Sequence, residues 1–171
     1  MRRNIVFALF VLVLASLYVH GQQRSAKETQ YKSPDGSLVA IVRSVNQPEA
    51  TDESEVRVQT ASGKVLARRN YRSEDGEHGH GVTKAQWTPD SQFFVYSLES
   101  SGGHQAWHSP VQYFGRRSGR IASLDDALND AVMNPQFSVE APDKVTVDLY
   151  FGKKTSTVSL SSLGKKDSST R

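Results

Sequence analysis

The sequence predicts an all-β fold built from repeated antiparallel units, with one short helix. Three observations support this prediction. Short runs of β-branched and aromatic residues recur between positions 31 and 163, a Pro-Asp turn precedes three of these runs, and a Ser-Gly turn recurs at a matching offset. The length of 171 residues allows one domain. With 37% hydrophobic and 23% charged residues, the composition excludes a collagen-like or wholly disordered chain.

The amino terminus carries the only long apolar run in the sequence. Arg2 and Arg3 are followed by fifteen predominantly apolar residues, Ile5 to Val19, and then by Gly21 at a small-residue cleavage position. This pattern predicts a secretory signal peptide over residues 1–21, and therefore an exported protein, periplasmic or secreted. The run is shorter than the ~20 residues of a typical spanning helix. An uncleaved amino-terminal anchor is the alternative, and only in that case do we expect a membrane contact.

Composition and charge exclude further classes. The chain has no cysteine, which rules out disulfides, thiolate metal sites, a thiol nucleophile and a lipoprotein anchor. Removal of residues 1–21 leaves 19 basic and 18 acidic residues, a net charge of +1. The basic residues occur as scattered pairs, whereas nucleic-acid binding needs a clustered patch, so we expect no nucleic-acid partner.

Three segments are expected after the signal peptide. Residues 22–30 are polar and aperiodic, which predicts a linker. Residues 31–163 form the predicted β domain, and residues 164–171 predict a disordered tail.

Each predicted unit begins with a Pro-Asp turn that leads into a strand. The prolines of these turns are 55 and then 53 residues apart. Proline fixes φ at the second position of a turn, and aspartate accepts hydrogen bonds from the backbone beyond it. The turns are Ser33-Pro34-Asp35-Gly36, Thr88-Pro89-Asp90-Ser91 and Ala141-Pro142-Asp143-Lys144.

A second turn recurs in step with the first. Ser62-Gly63-Lys64 and Ser118-Gly119-Arg120 are 56 residues apart and suit tight hairpins. They predict pairing of 56–60 with 65–67 and of 111–114 with 120–122, so each full unit holds at least three antiparallel strands. The third unit is altered, with Gly152-Lys153-Lys154 as its expected hairpin turn.

One helix interrupts the strands, over residues 124–132. Ser123 suits the N-cap, Asp125 and Asp126 occupy the first turn, where the helix dipole favours acidic groups, and Pro135 stops the helix. The predicted apolar face consists of Leu124, Leu128, Ala131 and Val132.

The second unit carries a recognisable repeat pattern. The run Ala85-Gln86-Trp87-Thr88-Pro89-Asp90-Ser91-Gln92-Phe93-Phe94-Val95-Tyr96 resembles the WD-repeat-like blade of TolB-type β-propellers, and residues 33–40 are similar, with Tyr31-Lys32 replacing the aromatic step. The resemblance implies a repeat type and no particular activity. A closed propeller typically needs 4–8 blades. Because this chain has room for two full units and a partial third, we expect an open propeller-like or sandwich-like domain, or a homo-oligomer that completes the ring.

Clustered histidines provide one candidate site. Neutral imidazole is a common ligand of zinc and copper, and the spacings His-x-His and His-x-x-x-His can place two nitrogens on one ion. Glu77 or Glu99 would serve as an oxygen ligand or orient an imidazole. Ordinary polar loops are the simpler interpretation of the same residues. The candidate ligands are His78, His80, His104 and His108.

Aromatic residues in the central unit provide the second candidate site. Most of them are expected in the core, whereas Trp107 lies in a long loop, where binding residues are often found. We name Trp107 and Tyr113 as candidate contacts for a protein or glycan partner, with loops 72–84 and 100–110 as the binding face. There is no Gly-x-Ser-x-Gly elbow, and cofactor motifs are absent from the sequence.

These patterns lead to a ranked set of functions. We expect an exported, non-enzymatic partner-binding or accessory module. A zinc- or copper-binding protein is the alternative, either handling metal or using it for hydrolysis with a glutamate as base. A structural module that pairs its edge strands with another chain is the third.

Overall fold

A computed structural model describes residues 27–45, 53–102, 107–151 and 153–163 of the chain. The predicted all-β fold is confirmed: the described residues form eleven strands, in three antiparallel sheets, and two short helices. The predicted signal peptide and the predicted tail lie outside the described residues. Neither described helix has the length and apolar character needed to cross a membrane.

The first two sheets are four-stranded meanders with the same strand order. The first contains β1 (Glu28–Lys32), β2 (Leu38–Ser44), β3 (Ser54–Thr60) and β4 (Val65–Asn70). The second contains β5 (His80–Trp87), β6 (Phe93–Ser100), β7 (Val111–Gly115) and β8 (Arg120–Ser123).

The third sheet is shorter, and two one-turn helices flank it in the chain. Helix α1 (Leu124–Leu128) follows β8 directly. The sheet has the order β11-β10-β9, formed by β9 (Ser138–Glu140), β10 (Lys144–Leu149) and β11 (Lys154–Ser159), and α2 (Leu160–Leu163) follows.

The Pro-Asp turns of the first two sheets have the same hydrogen-bond pattern. In the first turn, the Ser33 hydroxyl accepts the Leu38 N–H and donates to Asp35 Oδ1 over 2.6 Å. In the second, the Thr88 hydroxyl accepts the Phe93 N–H, and its bond to the aspartate Oδ1 is again 2.6 Å. The sequence repeat is therefore also a repeat of local structure.

The predicted hairpin turns are found at the two glycines. Gly63 has φ +90° between β3 and β4, and Gly119 has φ +65° between β7 and β8. Both conformations favour glycine because a Cβ atom would clash with the backbone. The third sheet has its predicted hairpin between β10 and β11, closed by the pairing of Leu149 with Lys154.

The second sheet is the middle layer of a three-layer stack. Alternate residues of β6 point to opposite faces. Phe94 and Tyr96 join a core with the first sheet, whereas Val95 joins a core with the third. The Trp87 indole also donates to the Tyr31 carbonyl over 2.8 Å, which links the first and second sheets.

Both outer faces of the stack are polar. On the first sheet, Glu55 accepts hydrogen bonds from Arg68 and lies 3.5 Å from Arg43, beside a cavity of about 290 Å³ that Arg57 also lines. On the third sheet, the exposed hydroxyls of Thr146 and its cross-strand neighbour in β11 bond over 2.7 Å.

Two predicted boundaries differ from the structure. Strand β1 begins at Glu28, inside the segment 22–30 predicted as a linker, because pairing with β2 orders a strand whose side chains are mostly exposed. The helix predicted over 124–132 ends at Leu128. Asn129 adopts the left-handed conformation there (φ +53°), so the helix stops before it reaches Pro135.

Candidate functional site

Three exposed aromatic rings form a continuous surface at one end of the stack. We call Trp107, Tyr150 and Phe151 the aromatic surface; their exposed fractions are 45%, 39% and 71%. The ring centroids of Trp107 and Tyr150 are 4.7 Å apart, and those of Tyr150 and Phe151 are 5.3 Å apart. The imidazole of His108 stacks on Trp107 at 5.4 Å. Rings this exposed and this close form a contiguous apolar patch on the surface of the described chain.

The hairpin between β10 and β11 positions two of these rings. The Tyr150 N–H donates to the Ala131 carbonyl over 2.7 Å, and the Phe151 N–H donates to Asp130 Oδ1 over 2.9 Å. Lys153 turns the chain with φ +43°. The hairpin is therefore fixed to the segment that follows α1, and its two aromatic side chains stay outside the core.

Asp125 connects the loop of Trp107 to that same segment. Its carboxylate accepts the N–H groups of Val111 and Val132, both over 3.0 Å, and its Oδ1 lies 2.9 Å from His108 Nε2. The Ser109 N–H donates to the Val132 carbonyl over 2.9 Å. One carboxylate in the first turn of α1 thus connects the residue next to Trp107 with the start of β7 and with the segment that follows α1.

A fully buried carboxylate, that of Glu53, organises the neighbouring loops. Glu53 is fully buried and accepts from the Ser73 N–H and hydroxyl, the Gly79 N–H over 2.7 Å and the Ser101 hydroxyl over 3.1 Å. A Cβ atom at Gly79 would collide with this carboxylate and with the Tyr71 carbonyl. Glu53 therefore holds the loop before β5 against the end of β6.

The predicted metal ligands His78, His80 and His108 lie within the described residues, and they differ in their surroundings. His78 pairs with Asp75 on an exposed loop. Burial and the nearby His108 lower the pKa of His80, opposed by the charge of Glu53. His104 lies outside the described residues. Within the described ranges, no group of three histidine, aspartate or glutamate side chains is placed to hold one metal ion.

Of the two predicted partner contacts, Trp107 belongs to the aromatic surface and Tyr113 does not. Tyr113 lies in β7, packs edge-on against Phe93 at 6.1 Å and borders a groove of about 830 Å³ beside α1. Its ring is partly buried against the core between the second and third sheets, because its position in β7 faces the third sheet.

Sequence reasoning missed Tyr150, Phe151 and Asp125. The adjacent aromatic pair directly before the predicted turn Gly152-Lys153-Lys154 was a usable signal, since a hairpin turn places its side chains in solvent. Asp125 was interpreted as a helix-start residue, which it also is.

Comparisons with protein-family models and with curated proteins found no match to this chain.

Proposed function

We propose that this chain is an exported, non-enzymatic β-repeat module that binds a partner through the aromatic surface. The observation that carries the proposal is the contact of three exposed rings, Trp107, Tyr150 and Phe151, on a hydrogen-bonded support. The equivalent turns at Ser33 and Thr88 support a finer assignment of the first two sheets as blade-like units of the TolB-type repeat.

The composition of this surface suits binding. Tryptophan and tyrosine are enriched among the residues that dominate binding energy, because they bury large areas and lose little rotamer entropy. Apolar area removed from water contributes roughly 25 cal/mol per Å². The bonds of Asp125 and of the Tyr150 N–H hold the supporting backbone in place before binding, which lowers the entropy lost on association.

The experiment compares the chain with two variants, Trp107→Ala and Val65→Ala. Val65 is the matched control, because it is 49% exposed but begins β4 at the opposite end of the first sheet. Each protein is tested against the protein, glycan and lipid fractions of the envelope of the cell that exports it. Circular dichroism verifies that both variants remain folded.

We expect binding to one fraction that Trp107→Ala weakens at least tenfold and Val65→Ala leaves unchanged. Absence of binding to all three fractions, or equal loss in both variants, would overturn the proposed function.

A further inference from the structure

The described chain begins at the end of the stack that carries the aromatic surface. Next to β1, the Ser44 N–H donates to the Lys27 carbonyl over 2.9 Å, and Ser44 pairs with Ser54 at the start of β3. The Tyr71 N–H donates to the Ser54 carbonyl, and the His80 N–H to the Tyr71 carbonyl, both over 3.0 Å. One line of backbone contacts therefore runs from Lys27 to the start of β5.

The same line continues to the aromatic surface. His80 pairs with Ser100 at the end of β6, and the Leu98 N–H donates to the Pro110 carbonyl over 2.9 Å. Next to Pro110, the Ser109 N–H donates to the Val132 carbonyl. Next to Val132, the Ala131 carbonyl accepts the N–H of Tyr150 in the aromatic surface. Lys27 and the aromatic surface thus lie at one end of the three sheets.

Two exposed lysines also lie beside the rings. Lys153 and Lys154 follow Phe151 closely in the β10–β11 hairpin, and both are exposed. The neighbouring Asp130 accepts the Phe151 N–H, so its carboxylate faces the backbone of the hairpin.

We propose that the partner of the aromatic surface is the headgroup region of an anionic lipid membrane. This inference rests on the proposed function and names the class of its partner. The rings of Trp107 and Tyr150 sit at the depth of the headgroups, where aromatic residues with a polar edge are favoured, and Phe151 enters deepest. Lys153 and Lys154 contact lipid phosphates while their apolar stems lie along the surface.

The apolar segment at the amino terminus distinguishes a membrane from other partners. Residues 5–19 form the apolar run, and residues 20–26 connect it to Lys27. Seven extended residues reach at most about 25 Å. In the uncleaved form of the chain, this run stays in the membrane and keeps the end with the aromatic surface next to it, while the opposite end, with Val65, faces away.

The experiment places a polarity-sensitive dye at either end of the full chain. Because the chain has no native cysteine, Phe151→Cys and Val65→Cys each give one labelling site. The labelled proteins are mixed with vesicles of phosphatidylcholine containing one-third phosphatidylglycerol, and with vesicles of pure phosphatidylcholine. Brominated lipids then report whether the dye contacts the acyl chains.

We expect a several-fold rise in fluorescence and quenching by brominated lipid for the dye at position 151, and both effects should be larger on anionic than on neutral vesicles. The dye at position 65 should respond to neither vesicle. Each of the variants Lys153→Gln and Lys154→Gln should reduce membrane contact of the aromatic surface. The ratio of protein whose aromatic surface contacts the membrane to protein whose aromatic surface does not should fall roughly fivefold, the effect of about one kcal/mol per lysine.

Equal responses at positions 151 and 65, or equal responses on anionic and neutral vesicles, would overturn the lipid assignment. If the dye at position 151 shows no response to vesicles, but a protein or glycan fraction binds and Trp107→Ala weakens that binding, the lipid assignment is wrong and the proposed function is retained. If no fraction binds and the dye shows no response, both the lipid assignment and the proposed function are wrong.

Discussion

Asp125 holds His108 beneath the aromatic surface: Asp125 Oδ1 lies 2.9 Å from His108 Nε2, and the His108 ring stacks on Trp107 at 5.4 Å. The same carboxylate accepts the backbone N–H groups of Val111 and Val132. The exposed ring of Trp107 is thereby connected, through His108 and Asp125, to two residues of the core between the second and third sheets. The position of the aromatic surface and the stability of the domain therefore depend on the same carboxylate.

Asp125→Ala is expected to destabilise the domain by roughly 2–6 kcal/mol, because two part-buried backbone N–H groups lose their acceptor at about 1–3 kcal/mol each. Urea unfolding measures the loss. Asp126→Ala is the matched control: it lies in the same helical turn with an exposed side chain, and its loss of helix-dipole interaction should cost less than about 1 kcal/mol. Equal costs for the two variants would contradict the role assigned to Asp125.

Gly79→Ala is expected to destabilise the loop before β5, because the added Cβ would overlap the buried Glu53 carboxylate and the Tyr71 carbonyl. We expect a cost of about 1–3 kcal/mol from the forced backbone shift. Gly115→Ala is the comparison, since its tightest contact is the Ser118 hydroxyl, a side chain that can rotate away. Thermal unfolding of both variants should show the larger drop for Gly79→Ala; the reverse order would disprove the packing argument.

His80 should make the domain less stable as the pH falls. Burial lowers the pKa of His80 below its ordinary value of 6.5, and the charge of His108 adds to the effect. The folded state therefore binds this proton less readily than the unfolded state, so stability is complete above pH 6.5 and declines below it. His80→Gln should flatten the decline in denaturant midpoint between pH 7 and pH 5. An unchanged slope in the variant would refute this origin.

Asp35 should contribute stability at neutral pH that is lost in acid. Hydrogen bonds from Ser33, Arg116 and Ser37 hold the pKa of Asp35 well below its ordinary value of 3.8. A depressed carboxyl pKa stabilises the fold above the unfolded pKa and ceases to do so as the pH falls through the folded pKa.

The variant Asp35→Asn tests this dependence, because it mimics the protonated side chain. Its stability should fall below that of the unchanged chain at pH 7, and the two should converge as the pH falls below about 4. Guanidinium unfolding across this range provides the comparison. A difference that stays constant with pH would exclude the carboxylate charge as its source.

The repeated turns were predictable because their chemistry is local. A serine or threonine, proline and aspartate within a few residues form their own hydrogen bonds, as Ser33 and Thr88 show, and Gly63 and Gly119 mark the hairpins. The end of α1 was not predictable from its apolar spacing. Val132 is buried as the periodicity requires, but it is buried through an isolated bridge with Leu149 and an N–H bond to Asp125 rather than in a helix.

The aromatic surface was only partly predictable for a different reason. Trp107 was found from its loop, but the surface exists because that loop meets a hairpin more than forty residues later. Such a meeting depends on how the third sheet stacks, and no local pattern encodes it. The surroundings of Tyr113 were not predictable for the same reason, since strand alternation alone does not say which face of β7 is covered.

The outer faces of the first and third sheets are polar, so neither face is suited to pack against a further sheet. A fourth sheet placed on the first one would have to remove water from Glu55 and its arginines. A sheet placed on the third would have to desolvate the hydroxyl pair of Thr146 and Thr157, and both steps cost free energy. These faces act as the terminal caps of a short array. Lengthening such a protein during evolution would therefore require inserting a copy of the middle sheet between the ends, and not adding one beyond them.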